Sequence, residues 1–363
     1  MLQLGFLTRF KLVRTSLAVL LLPALLLGAA GCSQDDPYPG GQIELPPVEK
    51  TVNLTDFDGK TVEITVPVKK VVCITAAASE MICALGKTDA IVGRDSYSLF
   101  PTALSSLPEV ATTSASPNIE LIAGLKPDVL ICDGMLKEAD REKIEAYGIK
   151  VLVVSTSRPE ESLNCINMLG QLFGLEDTAA EIAGYIQGFR DLVAGRLSSL
   201  NDGDKVKVYW EWTADYKSCN RDGAYSQMVT EAGGINIADA EDVMYPVLSA
   251  EFVMAQNPDV IIKCPKGTYH TPDTLKAAYD ELISRTALGI TSAIKNNRVY
   301  MVNLDCGKGI RYPLGLLYYA KCFYPELFSD INLDAVQNEI LTKYFGADAL
   351  SDYDEAYGYP IPE

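Results

Sequence analysis

The sequence predicts an α/β protein of two lobes, each with a mainly parallel sheet, joined by one long bridging helix with a ligand cleft between the lobes. Three patterns carry that prediction. Short apolar runs bounded by polar residues alternate with helical stretches in both halves of the chain, which argues for parallel strands covered by helices. Between the halves, residues 177–200 form one helical segment in which Ile182, Ile186, Phe189, Val193 and Leu197 recur at steps of three and four, giving an apolar stripe along one face. A short repeat occurs once in each half: Glu120 and Glu251 each stand seven residues before Pro-Asp-Val, at Pro127-Asp128-Val129 and Pro258-Asp259-Val260, and each run leads on to a cysteine, Cys132 or Cys264.

Length and charge narrow the field. With 363 residues, 22% charged and 48% hydrophobic, the chain has ordinary globular composition and room for two domains, which excludes disordered, collagen-like and coiled-coil classes. Net charge is −17, and because Arg9, Lys11 and Arg14 are the only charges among the first 31 residues, the remainder sets 28 basic against 48 acidic residues. So acidic a surface repels phosphate backbones, and nucleic acid is excluded as a partner.

At the N-terminus, those three cations precede the apolar run Leu17 to Leu27, which is followed by small residues. That is the form of a secretory signal over residues 1–31, too short for an ordinary spanning helix. Ala29-Ala30-Gly31-Cys32 resembles the bacterial lipobox, which makes Cys32 the lipidated first residue and residues 32–50 a tether that begins with the polar, Pro- and Gly-rich stretch Ser33 to Gly41. The expected location is the outer face of the cytoplasmic membrane, held by the lipid. Eight further cysteines (Cys73, Cys83, Cys132, Cys165, Cys219, Cys264, Cys306 and Cys322) are scattered without CxxC spacing, and several are expected to stay as thiols.

Beyond the tether, Thr51 to Thr55 and Thr61 to Val66 alternate apolar with polar residues around Asp58-Gly59, the pattern of a β-hairpin. The first lobe, 51–175, continues with strand-like runs at Lys70 to Thr75, Ala90 to Gly93, Asp128 to Cys132 and Lys150 to Ser155, and helical stretches at Ser79 to Leu85, Ile119 to Leu125 and Lys137 to Tyr147. The bridging helix occupies 176–201. Gly184, Gly188 and Gly195 within it each weaken an isolated helix by roughly 1 kcal/mol, so it must depend on packing. The second lobe, 202–345, restarts the pattern with strands at Lys205 to Trp212, Asp259 to Lys263 and Arg298 to Asn303, and helices near Tyr225 to Ala232, Pro272 to Ser284 and Pro313 to Phe323. Residues 346–363, acidic with Gly and Pro, read as a surface tail.

Five stretches in register around the bridging helix resemble a known family. Val71 to Gly93 (with Ser79-Glu80-Met81 and Leu85-Gly86), Glu120 to Asp128, Glu231-Ala-Gly233-Gly234-Ile-Asn236, Ser249-Ala-Glu251 and Thr291 to Tyr300 are together similar to the periplasmic binding proteins that take up ferric siderophores, haem and cobalamin. The resemblance covers about residues 51 to 345. It implies two lobes bridged by one helix with limited hinge motion, and a monomeric receptor that serves an ABC permease dimer and its ATPase. It also implies that Glu120 and Glu251 dock onto arginines of the permease, a role suited to two separated acidic knobs. Each could equally stabilise the first turn of its own helix.

Ligands of open α/β lobes sit beyond the carboxyl ends of the strands. The loops expected there offer Tyr97 in the first lobe and Trp212, Tyr216, Tyr269, His270, Arg311 and Tyr312 in the second, rings and polar points suited to a large flat chelate: a ferric siderophore, haem or a corrinoid. Trp210, Tyr318 and Tyr319 are expected in the core. His270 is the single histidine, a candidate axial ligand to haem iron or cobalt, and Arg311 a candidate for a ligand carboxylate. Cys132, Cys219, Cys264 and Cys306 stand near strand ends, where thiolates could take a soft metal. No GxSxG, P-loop, HExxH or strand-to-helix GxGxxG occurs, so the sequence reads as a binding protein, not an enzyme. A receptor for a bare or thiol-ligated metal ion, a surface sensor and a chelatase-like protein on the same fold are the alternatives.

Overall fold

The structure is a computed structural model that describes residues 49–267, 270–353 and 355–362; the signal segment, Cys32 and Tyr269 lie outside the described residues. It opens with an antiparallel hairpin of β1 (Lys50–Thr55) and β2 (Thr61–Val66), turned at Gly59 with φ of +79°, a conformation that favours glycine.

The first lobe follows: β3 (Val71–Cys73), α1 (Ala76–Ala84), β4 (Ile91–Asp95), β5 (Glu109–Ala111), α2 (Ile119–Leu125), β6 (Val129–Cys132), α3 (Glu138–Glu145), β7 (Lys150–Val153) and α4 (Pro159–Phe173). Its five strands are all parallel in the order β5-β4-β3-β6-β7. Alternation sorts the core. Val71, Cys73, Val129, Ile131 and Leu152 join Met81, Cys165 and Ile182 in one cluster, and Val72, Leu130, Cys132, Val151 and Val153 join Ile122 and Ile144 in another on the opposite face.

The bridge is α5 (Glu176–Leu197), 22 residues and so about 33 Å long. Ile182, Ile186 and Val193 are buried, with Phe189 and Leu197 packed beside them, so the stripe read from the sequence is the packed face.

Then comes the second lobe: β8 (Lys207–Glu211), α6 (Ala224–Glu231), β9 (Ile235–Asn236), α7 (Ala250–Gln256), β10 (Val260–Lys263), α8 (Pro272–Ile283), α9 (Ser292–Lys295), β11 (Val299–Val302), α10 (Tyr312–Phe323), α11 (Leu333–Phe345), α12 (Ala349–Asp352) and β12 (Gly358–Tyr359). The sheet order is β12-β11-β10-β8-β9, parallel except for β12. One apolar cluster runs from Val71 through Ile186 to Phe323 and Tyr357, so both lobes and the bridge share a core. Among the described residues no helix is long and apolar enough to cross a membrane.

The sequence repeat is a structural one. Helices α2 and α7 both start on a side-chain cap, Asn118 accepting from the Leu121 amide and Ser249 from the Phe252 amide. Both end on a left-handed residue, Lys126 and Asn257. The aspartate that follows is then used alike: Asp128 Oδ2 accepts from the amides of Lys69 and Lys70, and Asp259 Oδ2 from that of Lys207.

The C-terminal residues correct the expectation of a surface tail. Gly358 and Tyr359 add an antiparallel edge strand to β11, and Tyr357 is buried. Gly358 lies flat on the Tyr318 ring, where a Cβ would stand 2.4 Å from Cζ. Acidic and Gly/Pro composition conceals three tyrosines that pack.

Candidate functional site

In each sheet the strand order reverses at the first strand of its lobe, β3 or β8, and the crevice at such a switch point is where open α/β sheets bind ligands. The loops at these strand ends meet across the lobe boundary, and one end of the boundary is shut by charge. Arg311, just before α10, donates from Nη2 and Nε to the two oxygens of Glu80 on α1, at 2.6 and 2.9 Å. Its Nη1 donates to Tyr353 Oη at 2.7 Å and to Glu355, and its plane lies over the rings of Phe100 and Tyr353. Nearby, Gly309 has φ of +56° and sits against Ala77 of α1. Burial holds the Glu80 carboxyl up at about 7, opposed by Arg311.

All three nitrogens of Arg311 are therefore engaged by protein groups, an arrangement different from the ligand-facing one expected for it. Tyr312 also turns inward, its hydroxyl donating to Glu231, which with Glu160 holds Arg190 of the bridge. His270 is 4% exposed, its carbonyl accepting from the Ala356 amide under the C-terminal segment, and burial lowers its pKa. It is not at the open mouth, as an axial ligand to an entering chelate would be. Tyr216 has a left-handed backbone and stacks under Arg285, beside a buried group in which Glu211 binds Lys263, Arg285 and the Tyr209 hydroxyl. Arg311, Tyr312 and Tyr216 each have a charged partner within the protein, and His270 is buried under the C-terminal segment, which loop position alone does not reveal.

Tyr97 and Trp212 stand on the loops that follow β4 and β8. Tyr97 is 44% exposed, held by Asp95 Oδ1 on its amide, and Met135 after β6 is 51% exposed. In the second lobe Trp212 forms an aromatic wall with Tyr225 and Tyr245 at centroid distances of 5.7 and 5.0 Å, with the Lys217 ammonium over its ring. The strip 241–247 that carries Tyr245 pairs back onto 217–220, leaving Val243, Met244 and Val247 exposed. Trp212 Nε1 is buried without a partner. Exposed apolar side chains thus stand on strand-end segments of both lobes.

Behind the wall lies an inner cavity of about 20 Å³, lined by Ser157 of the first lobe and by Tyr225, Met228, Asn303, Tyr312 and Tyr319 of the second. Asn303, Tyr225, Tyr245 and Glu80 stand in no motif that marks them as cleft residues. Tyr225 at the start of a helix after a strand-end loop is the one with a usable positional signal.

The cleft-edge thiols are buried. Burial raises Cys219 and Cys306 to about 12, and Cys132 and Cys264 upward as well, which disfavours the thiolate that soft metals require. Among the described residues no group of three or more His, Cys, Asp or Glu is arranged to hold a metal ion. Glu120 and Glu251 occupy equivalent first-turn positions of α2 and α7, both exposed.

A family model described as periplasmic binding protein matches residues 71–303. The ABC transporter substrate-binding lipoprotein YvrC of Bacillus subtilis is 26% identical over 325 residues, 86% of this chain and 98% of that protein. A cobalamin-binding protein of Halobacterium salinarum is 24% identical over 260 residues, 69% of this chain and 68% of its own length. Among solved structures, the molybdate-binding protein MolA of Haemophilus influenzae shares the fold with a TM-score of 0.71 at 20% identity, over 84% of this chain and 100% of that one. With the family match running through both lobes and the helix between them, the chain belongs to the periplasmic binding protein family and is a substrate-binding protein of the ABC-transporter type.

Proposed function

We propose that this protein is the lipid-anchored extracytoplasmic receptor of an ABC importer, which captures an iron chelate (siderophore or haem) or a corrinoid and hands it to a permease dimer driven by its ATPase. The observation that supports the reading is the aromatic cluster of Trp212, Tyr225 and Tyr245 on one lobe, together with exposed Tyr97 and Met135 on strand-end loops of the other. Flat apolar walls with few polar points suit a large, partly planar chelate. The large ligand seats at the mouth, because the inner cavity of about 20 Å³ admits only a small group. Glu120 and Glu251, at matching places on the two lobes, are the permease contacts, and Cys32 is the lipid attachment. The protein performs no covalent chemistry and acts as a monomer.

An anaerobic titration of residues 33–363 with cobalamin, haem and ferric siderophores tests this, read by the fluorescence of Trp210 and Trp212, the chain's two tryptophans. Saturable quenching by one of them at micromolar or tighter affinity is expected; silence with all removes the reading.

A further inference from the structure

We infer that the first lobe carries a second binding site, a groove beside the N-terminal hairpin that takes a neutral N-acetylhexosamine sugar.

The groove is lined by β1, the end of β7 and helix α4, encloses about 420 Å³, and shares no residue with the small cavity at the lobe boundary. All of its lining belongs to the first lobe. Two secondary-structure periods build it. On β1, Asn53 and Thr55 alternate outward around buried Leu54. On α4, Asn164, Asn167 and Gln171 recur at steps of three and four, which puts three exposed carboxamides on one face. Phe57, in the hairpin turn, adds a ring that is 53% exposed, and buried Leu54, Val154 and Cys165 add apolar ground.

The chemistry of this lining is selective. The carboxamides of Asn53, Asn164, Asn167 and Gln171 take no hydrogen-bond partner among the described residues. Each offers an acceptor oxygen and two donor hydrogens, whose natural complement is another amide or a hydroxyl. No Lys, Arg or His lines the groove, and its two carboxylates are committed, Asp56 to Arg141 at 2.8 Å and Glu161 to the Ser155 hydroxyl and Arg158. Anionic ligands therefore find no counter-charge here, and cationic ones no uncommitted carboxylate.

An N-acetylhexosamine answers the whole lining. Its acetamido N–H and C=O pair with a carboxamide in both directions, its methyl rests on the apolar ground, its hydroxyls engage the remaining amides, and the C–H face of the ring covers Phe57. The volume falls within the range of small-molecule sites, about 300–1,000 Å³. An extended peptide presents its amides along one line, about 3.3 Å per residue. The carboxamides here come from two separate elements, which a ring with polar groups around its edge meets together.

The test is titration of residues 33–363 with N,N′-diacetylchitobiose, read by calorimetry and saturation-transfer NMR, against cellobiose, which lacks the acetamido groups, and trialanine. Saturable binding is expected, roughly five-fold or more tighter than cellobiose, with the acetyl methyls receiving strong transfer. Asn164→Ala with Gln171→Ala should weaken it roughly five-fold or more at unchanged melting temperature, and Phe57→Ala gives a second reading. Co-sedimentation with insoluble peptidoglycan and, separately, with chitin then identifies which polymer presents the sugar. No binding, equal affinity for cellobiose, preference for trialanine, or binding that survives both groove variants overturns the site. None of these outcomes bears on the cargo titration, so the receptor reading stands or falls separately.

Discussion

Arg311 and Glu80, 231 residues apart in sequence, form a two-pronged buried ion pair across the lobe boundary. Glu80 lies on α1, the helix that follows β3, and Arg311 at the start of α10, so the pair ties the first lobe to the second. Breaking such a pair strands a buried charge, and Arg311→Met should lower unfolding free energy by about 3 kcal/mol. Replacing both residues by apolar ones should cost less than that single change. Urea unfolding of the three proteins checks this, and equal loss in single and double variants would refute the coupling.

Glu80 also carries a pH dependence. Its folded-state pKa, about 7, lies above the ordinary 4.5 because burial disfavours the charged form, with Asp305 and Glu355 adding to the effect. The folded protein therefore holds a proton that the unfolded chain releases. The associated stability is complete below about pH 4.5 and is lost as pH rises through about 7. The stability of wild type relative to Glu80→Gln should accordingly fall from pH 5 to pH 8; a relative rise contradicts the assignment.

Gly358 has no room for a side chain. Gly358→Ala would drive a methyl into the Tyr318 ring, and overpacking of this kind costs about 1–3 kcal/mol. Removing 346–363 altogether should do more, since it takes Tyr353 from Arg311 and bares the edge of β11. Thermal melts of the two variants rank the effects, and an unchanged melting temperature in Gly358→Ala would show that the strand is not docked there.

Glu120→Ala with Glu251→Ala should abolish cargo uptake in cells while leaving ligand affinity and melting temperature within error, since both carboxylates are exposed in the first turns of α2 and α7. Parallel loss of ligand binding in the purified double variant would show that these helices serve the cleft.

All eight cysteines of the described residues are free and buried. Residues 33–363 should react with a thiol reagent slowly when folded and yield eight equivalents in denaturant, without prior reductant. A lower yield that reductant restores would reveal a disulfide.

Much of this fold is legible in the sequence because its signals are periodic. The stripe of Ile182, Ile186 and Val193 and the short apolar runs of β3, β6 and β10 are local patterns with one physical meaning. Helix α4 is less plain, although Pro159 followed by Glu160 and Glu161 is a good helix start, and α11 likewise falls outside the stretches that the sequence reading marks. The site is read less fully. Loop position places Tyr97 and Trp212 after strand ends, but Arg311, Tyr312 and Tyr216 have their orientation set by partners remote in sequence, Glu80, Glu231 and Arg285, and the backbone of His270 is held by Ala356. No window of neighbouring residues contains that information. The C-terminal segment shows the converse, where polar composition hides tyrosines whose burial depends on a single glycine.

The apolar cluster that passes without interruption from one lobe through α5 into the other means that neither lobe owns a complete interior. Severed at the bridge, each half would present its share of that cluster to water. Unfolding should thus be one cooperative event, with a single calorimetric peak, and on the proposed receptor reading cargo release is expected to come from small elastic displacements of one continuous body.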